Sequence, residues 1–401
     1  MTYSASVRRG ITLMEVLIAM FVASVGLMGL AALIPVGGHN LREANKSDRA
    51  NAVARAAYRE IKARGWLRPE YLYGAAADGS PPNMTQPFCL DPLFVQLSAN
   101  LGDARRWESP VRLDNDPIFA DGSTPPPRMF RASLRQAPGS STILTPIPFA
   151  TADRLFRNED DRTFELPNDN TKRARAVLGA DNRLQSDGDF TWMATVVPAY
   201  QATSGLPSTY KVSVAVFYRR NLLIPAANKS NRTDGPPTER YLYADFLSGG
   251  IGWGGGDVRL RLVDSSATLS TSPENSDFPR IRPGQCIMLA ALRSNNQPVI
   301  EWYRVVSTSR RADGQDGPEL ATSGTPSGES EWYTDVTLDG ADWNPTERNP
   351  STNVFAIPDM DRSDTANLTL QNGYMTVYAA VFEGVVGVYT KTIEVDSWAT
   401  P

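Results

Sequence analysis

Ile11-Thr12-Leu13-Met14-Glu15-Val16-Leu17-Ile18-Ala19-Met20-Phe21-Val22-Ala23-Ser24-Val25-Gly26-Leu27-Met28-Gly29-Leu30-Ala31-Ala32-Leu33-Ile34 carries a single ionisable side chain, Glu15, and how this stretch is read decides the fold. From Val16 to Ile34 the chain is uncharged. As a helix, 24 residues reach about 36 Å at 1.5 Å per residue, enough to cross a hydrocarbon core of about 30 Å with some tilt. A buried helix of a soluble enzyme seldom needs such length.

Working outward, Arg8 and Arg9 precede the stretch and would suit the basic start of a secretory signal peptide. The apolar region is too long for that, since such regions run to about 7–15 residues, and Pro35-Val36-Gly37-Gly38 offers no Ala-x-Ala site. A generic signal anchor explains the length but not Glu15, because a carboxylate in lipid costs a few kcal/mol unless it is paired.

The run Arg8-Arg9-Gly10-Ile11-Thr12-Leu13-Met14-Glu15 resembles the cleavage and methylation motif of type IV prepilins and type II secretion pseudopilins. The resemblance covers about the first 35 residues, and the continuation from Val16 looks most like that of minor pilins and minor pseudopilins. It implies a basic leader cut after Gly10 by prepilin peptidase, Ile11 as the N-methylated terminus, and Glu15 as the charge that sets axial register by pairing with a neighbouring subunit's new amine. Ile11 departs from the commoner Phe or Met. Independently of the family, Ala19, Ala23 and Gly26 recur at spacings of four and three, so they share a helical face on which neighbouring helices can approach closely.

Basic residues flank the span on both sides, with Arg42, Lys46 and Arg49 following it, so the charge rule leaves orientation open. A cytoplasmic N-terminus at the inner membrane, with the C-terminal domain extracytoplasmic, is implied by the resemblance. Residues 1–70 hold ten basic and five acidic side chains; with a net charge of −4 for the 401 residues, residues 71–401 carry −9. That balance gives no case for nucleic-acid binding.

After Pro35–Gly38, expected to bend or loosen the helix, residues 40–64 read as a second helical stretch with an apolar stripe of Leu41, Ala44, Val53, Ala57 and Ile61, stopped by Gly65. Residues 68–189 are punctuated by Pro81-Pro82 and Pro125-Pro126-Pro127 and read as loops with short strands. Alternation then predicts strands at Phe190–Val197, Tyr210–Tyr218, Val258–Leu262, Gln285–Leu292, Val299–Ser307 and Glu331–Leu338, an antiparallel set. Tyr374–Phe382 and Val385–Val395 read as a last hairpin joined at Glu383-Gly384, completing the sheet begun before residue 220.

Little in the sequence points to catalysis. His39 is the one histidine, and it sits beside the apolar run, where a polar helix-exit residue is the default. Cys89 and Cys286 match no zinc spacing and leave a single long-range disulfide open. Gly250-Ile251-Gly252-Trp253-Gly254-Gly255 formally fits G-x-G-x-x-G, but an alternating strand follows it where a nucleotide site needs a helix. Asp359-Met360-Asp361-Arg362-Ser363-Asp364 starts like a calcium loop yet lacks the central Gly and has Leu370 in the closing position. Trp253, Trp302, Trp332 and Trp343 could line a carbohydrate groove, though core packing suits them better.

The expected fold is α+β. It has a leader (1–10), a transmembrane assembly helix (11–34), a helix extension (35–66), a loop-rich segment (67–189) and an antiparallel β-rich, pilin-like extracytoplasmic domain (190–401), with an inserted β module at about 222–369. The expected function is that of a structural subunit, without catalysis, cofactor or metal. Its partners would be other pilin or pseudopilin subunits, prepilin peptidase and the inner membrane, with no nucleic acid. The size favours a minor or tip-proximal position in a pilus or pseudopilus. The competing reading is a signal-anchored surface domain that carries adhesion or hydrolysis.

Overall fold

A computed structural model describes residues 13–74, 79–100, 129–136, 145–156, 177–178, 184–185, 190–199, 207–220, 239–248, 255–263, 279–292, 298–309, 317–321, 331–341 and 377–395. The chain divides into two compact units, Met1–Arg49 and Ala50–Pro401.

Helix α1, Leu13–Arg64, runs without interruption through Pro35. The expected loosening there is not a break: proline removes one backbone donor, and the Ala- and Leu-rich turns before it keep the helix going. The helix ends at Gly65, whose φ of +64° suits a residue without Cβ. The Gly65 N–H donates to Lys62 O at 3.3 Å and the Trp66 N–H to Ile61 O at 3.1 Å. Together these bonds satisfy carbonyls the helix would otherwise leave open, while Trp66 and Ile61 join the same core.

In the second unit a 3-10 turn, Pro69–Tyr71, leads into β1 (Leu72–Tyr73), β2 (Phe88–Leu90), α2 (Pro92–Asn100), β3 (Phe130–Leu134), α3 (Phe149–Phe156) and the short pair β4 (Val177–Leu178) and β5 (Leu184–Gln185). There follow β6 (Phe190–Pro198), β7 (Thr209–Tyr218), β8 (Glu239–Ser248), β9 (Gly255–Val263), β10 (Cys286–Leu292), β11 (Pro298–Thr308), β12 (Glu319–Ala321), β13 (Glu331–Asp339), β14 (Val377–Phe382) and β15 (Val385–Glu394). The strands predicted from alternation are β6, β7, β9, β10, β11 and β13; β8 was not foreseen, nor were α2 and α3.

Six strands form one sheet in the order β1-β3-β2-β6-β7-β15, antiparallel except for β2 beside β3. The remaining long strands run β11-β10-β14-β8-β9-β13, and β13 pairs back onto β11. That last ladder closes a six-stranded antiparallel barrel, which removes the open edges an isolated sheet would expose. Its interior is filled by residues such as Leu260, Ile287, Leu289, Tyr303, Trp332 and Val381. Among the described residues, Leu247 and Val306, the two exposed large apolar side chains on the barrel strands, sit where a β-bulge interrupts the register.

Alternation assigns each face of the sheet a partner. Phe190, Trp192, Ala194 and Val196 on β6, with Val212, Val214 and Val216 on β7, pack against Ala50, Val53, Ala54, Ala57 and Ile61 of α1 and against α2 and α3. Leu41 and Ala44, expected in that stripe, are exposed instead. The buried α1 positions follow the three- and four-residue spacing of one helical face from Ala50 onward. On the opposite face Met193, Ala215 and Phe217 meet Met288, Ala290, Tyr378, Ala380 and Phe382 from the barrel's outer surface. Trp302 Nε1 donates to Thr195 Oγ1 at 3.0 Å, and Lys211 Nζ donates to Glu301 Oε1 at 2.6 Å across the same boundary.

The last hairpin is corrected. β14 pairs with β10 and β8, whereas β15 pairs with β7, so Glu383-Gly384 carries the chain from barrel to sheet. All six β14 residues are buried on both faces, while β15 is partly exposed, and strands with such different needs take different partners. Gly384 adopts φ +84°, and a Cβ there would lie 2.9 Å from the Tyr218 carbonyl.

Candidate functional site

Helix α1, which includes Glu15 of the sequence motif, holds a window long and apolar enough to cross a membrane, with none of its described residues buried. Glu15 lies in the first turn. At 100° per residue, Glu15, Ala19, Ala23 and Gly26 fall within about 80° of arc and span about 16 Å of the axis. The carboxylate and the small residues therefore share one face. A Cβ on Gly26 would meet nothing within 4 Å, so nothing within the fold demands glycine there. Ser24 Oγ donates back to Met20 O at 2.7 Å, which satisfies its hydroxyl within the helix. Gly10 and Ile11, the expected processing residues, lie outside the described residues.

A second cluster was not legible in sequence. Asp91, Arg131, Arg220 and Glu239 are buried together, two cations against two anions. Arg220 donates to both Asp91 oxygens, at 2.9 and 2.6 Å, and Arg131 Nε reaches Asp91 Oδ2 at 3.3 Å. Arg131 also donates to Glu239, whose Oε1 stands 3.7 Å from Arg220 Nη2. Arg131 lies over the Phe94 ring and Arg220 over Phe217, at 3.7 and 4.3 Å from the ring centres. Burial alone would raise the Asp91 carboxyl, but the Arg220 and Arg131 guanidiniums and the Phe94 N–H hold it below the usual carboxylate range. Asp91 also caps α2, ahead of Pro92 at the first helical position.

This cluster sits where the chain passes between sheet and barrel. Arg220 follows β7 and Glu239 opens β8; Glu239 pairs with Phe382, and Phe217 with Val385, so both crossings lie side by side. Arg219, just before Arg220, carries φ +51°, a left-handed conformation costing roughly 1 kcal/mol in a residue with a Cβ. The charges are balanced internally, which marks the cluster as a clamp between two bodies.

The remaining sequence candidates separate clearly. Cys89 and Cys286 are free and buried. Cys89 is on β2 of the sheet, where its Sγ donates to Met193 Sδ at 3.7 Å, and Cys286 opens β10 of the barrel. Burial pushes both thiols up, Cys89 far above the ordinary range, with the neighbouring Asp91 adding to the effect. Trp332 fills the barrel and Trp302 the barrel–sheet boundary. Trp253, Trp343, the Gly250–Gly254 loop and the Asp359–Asp364 run lie outside the described residues. Gly255, expected in a loop ahead of the strand, is instead the first residue of β9. Among the described residues no group of His, Cys, Asp and Glu is arranged to hold a metal. No family model, curated protein or solved structure matches the chain.

Proposed function

We propose that this chain is a minor pilin- or pseudopilin-like structural subunit. In this reading prepilin peptidase cuts after Gly10, the segment 11–34 anchors the chain in the cytoplasmic membrane with its N-terminus inside, and α1 then enters a pilus or pseudopilus beside other subunits. The observation that carries the reading is the exposed apolar window of α1 with Glu15, Ala19, Ala23 and Gly26 on one face. Helices that pack in lipid gain from close approach at small residues, and a carboxylate at that depth calls for a cation from a neighbour. The processed N-terminal amine of an adjoining subunit would supply that cation, and the spacing of Glu15 from the cut would set the step between subunits.

The mature N-terminus tests the first half of the proposal. Mass spectrometry should find Ile11 as the first residue in cells that contain prepilin peptidase and Met1 in cells that lack it. A terminus at Met1 in both, or trimming near Gly38, overturns it. Glu15→Gln tests the second half: membrane insertion should persist while incorporation into filaments is lost. Unchanged incorporation would favour a tethered surface domain instead.

A further inference from the structure

At one rim of the barrel, the segment leading into β10 and the end of β11 enclose a groove of about 520 Å³, inside the 300–1,000 Å³ typical of small-molecule sites. Arg280, Ile281 and Arg282 form one wall, and Thr308, Ser309 and Thr334 contribute hydroxyls. Ile281 packs against the barrel core and pins the segment. Arg280 and Arg282, on either side of Ile281, both line the groove and are exposed.

The backbone that carries Arg282 is fixed. Arg282 begins a tight turn in which the Gln285 N–H donates to Arg282 O at 3.1 Å and the Arg282 N–H donates to Gln285 Oε1 at 3.2 Å. Pro279 and Pro283 stiffen the segment on either side. Opposite, Ser309 is fixed by two bonds: its N–H donates to Asp335 O at 2.7 Å, and its Oγ accepts the Asp335 N–H at 3.1 Å. Its own hydroxyl proton remains available to the groove. Among the described residues no carboxylate lines the groove, neither guanidinium has an ion-pair partner, and the nearby Asp335 carboxylate is paired with Arg259. Two uncommitted arginines thus converge within a segment of the chain, residues 71–401, that carries −9 overall.

We propose that this groove binds an acidic oligosaccharide, with Arg280 and Arg282 gripping a carboxylate on the sugar and the Thr and Ser hydroxyls meeting its hydroxyls. Guanidinium forks match a planar carboxylate, and the proline and isoleucine surfaces offer apolar contact to sugar C–H faces. A lipid surface fits less well, because among the described residues no exposed large apolar side chain lines the groove to enter a bilayer. Nucleic acid fits less well too, since the described lining residues include no aromatic platform for a base. The inference goes beyond the assembly role and does not depend on it.

The test is calorimetry on the full-length chain in detergent micelles, with trigalacturonate as the probe and cellotriose as its neutral counterpart. Saturable, salt-sensitive binding of trigalacturonate is expected, with none of cellotriose. Arg280→Gln with Arg282→Gln should weaken it at least about tenfold, since each lost charge-assisted contact is worth a several-fold change. Both positions are exposed, so the variant should keep the wild-type circular dichroism and melting temperature. Equal binding of both sugars, undiminished binding by the double variant, or no saturable heat up to about 10 mM sugar overturns the proposal. So does arginine-dependent binding of phosphatidylglycerol vesicles without binding of trigalacturonate.

Discussion

Arg220→Ala is the most decisive perturbation of the fold. Its guanidinium makes two hydrogen bonds to Asp91, a carboxylate with no solvent exposure. Truncation leaves that carboxylate with Arg131 at 3.3 Å as its remaining ionic partner, while Glu239 loses its second cation. Removing one member of a buried charge pair costs about 3–5 kcal/mol, because the survivor stays buried without compensation. For the unit Ala50–Pro401, an unfolding entropy of about 2.1 cal/mol/K per residue gives roughly 0.7 kcal/mol/K, so the midpoint should fall by about 4–7 °C. Tryptophan fluorescence during thermal and denaturant unfolding measures both quantities. The double variant Arg220→Met with Asp91→Leu leaves Arg131 facing Glu239 as a neutral pair, and it should recover most of the loss. A loss under about 1 kcal/mol for the single variant, or a double variant as damaged as the sum of its singles, would refute the clamp.

Acid should act through the same carboxylate. The native Asp91 pKa is depressed, so the unfolded chain binds the proton more readily and stability rises with pH. The contribution is whole above the ordinary carboxylate value near 4 and fades as pH falls through the lower native value; Asp91→Asn should remove that slope from a stability–pH profile. Neither thiol should react with a disulfide reagent in the native protein, and both should titrate after denaturation, since Cys89 and Cys286 are buried with their thiols pushed up. Gly255→Ala should destabilise by more than about 2 kcal/mol: φ there is +110°, and the new Cβ would lie 2.3 Å from the Leu338 carbonyl oxygen, as a denaturant midpoint will report. Phe156→Ala should cost about 3–5 kcal/mol and shift tryptophan emission, because Phe156 stacks on Trp192 at 4.1 Å and on Trp66 at 5.7 Å. Gly26→Leu should leave folding and membrane insertion unchanged yet reduce filament incorporation, scored by shearing and immunoblotting.

The parts of this fold legible in sequence are those where one element repeats one rule. Val212, Val214 and Val216 alternate with Lys211, Ser213 and Ala215, and that period alone identified β7. Strand β8, Glu-Arg-Tyr-Leu-Tyr-Ala-Asp-Phe-Leu-Ser, was missed because Arg240 and Asp245 interrupt its apolar pattern and a bulge shifts the alternation near Leu247. The hairpin expected of β14 and β15 failed for a different reason. A two-residue turn between apolar runs signals reversal, and only the packing of Tyr378, Ala380 and Phe382 onto the sheet shows that the strand before it belongs to the barrel. The clamp could not be read at all, since Asp91, Arg131, Arg220 and Glu239 are drawn together from four elements by the two crossings. The apolar α1 window was legible because its property is local, and the packing proposed for it involves a second chain.

That difference bears on where a partner can be taken on. Among the described residues, the exposed large apolar side chains fall on residues 13–41, apart from Phe130, Leu247 and Val306. Burying the α1 side chains is worth on the order of 20–40 kcal/mol at about 1.5–3 kcal/mol each, far more than the net stability of a typical domain. In the second unit both faces of the sheet are already covered, one by helices and the other by a closed barrel held through Trp302, Lys211 and the charge clamp. A barrel fixed in this way offers a partner or ligand polar, geometrically defined contacts, whereas α1 offers non-directional apolar area ordered by one carboxylate and a few small residues. The two regions lie far apart in the sequence, so on the roles proposed for them crowding Gly26 and neutralising Arg280 and Arg282 should act independently of each other.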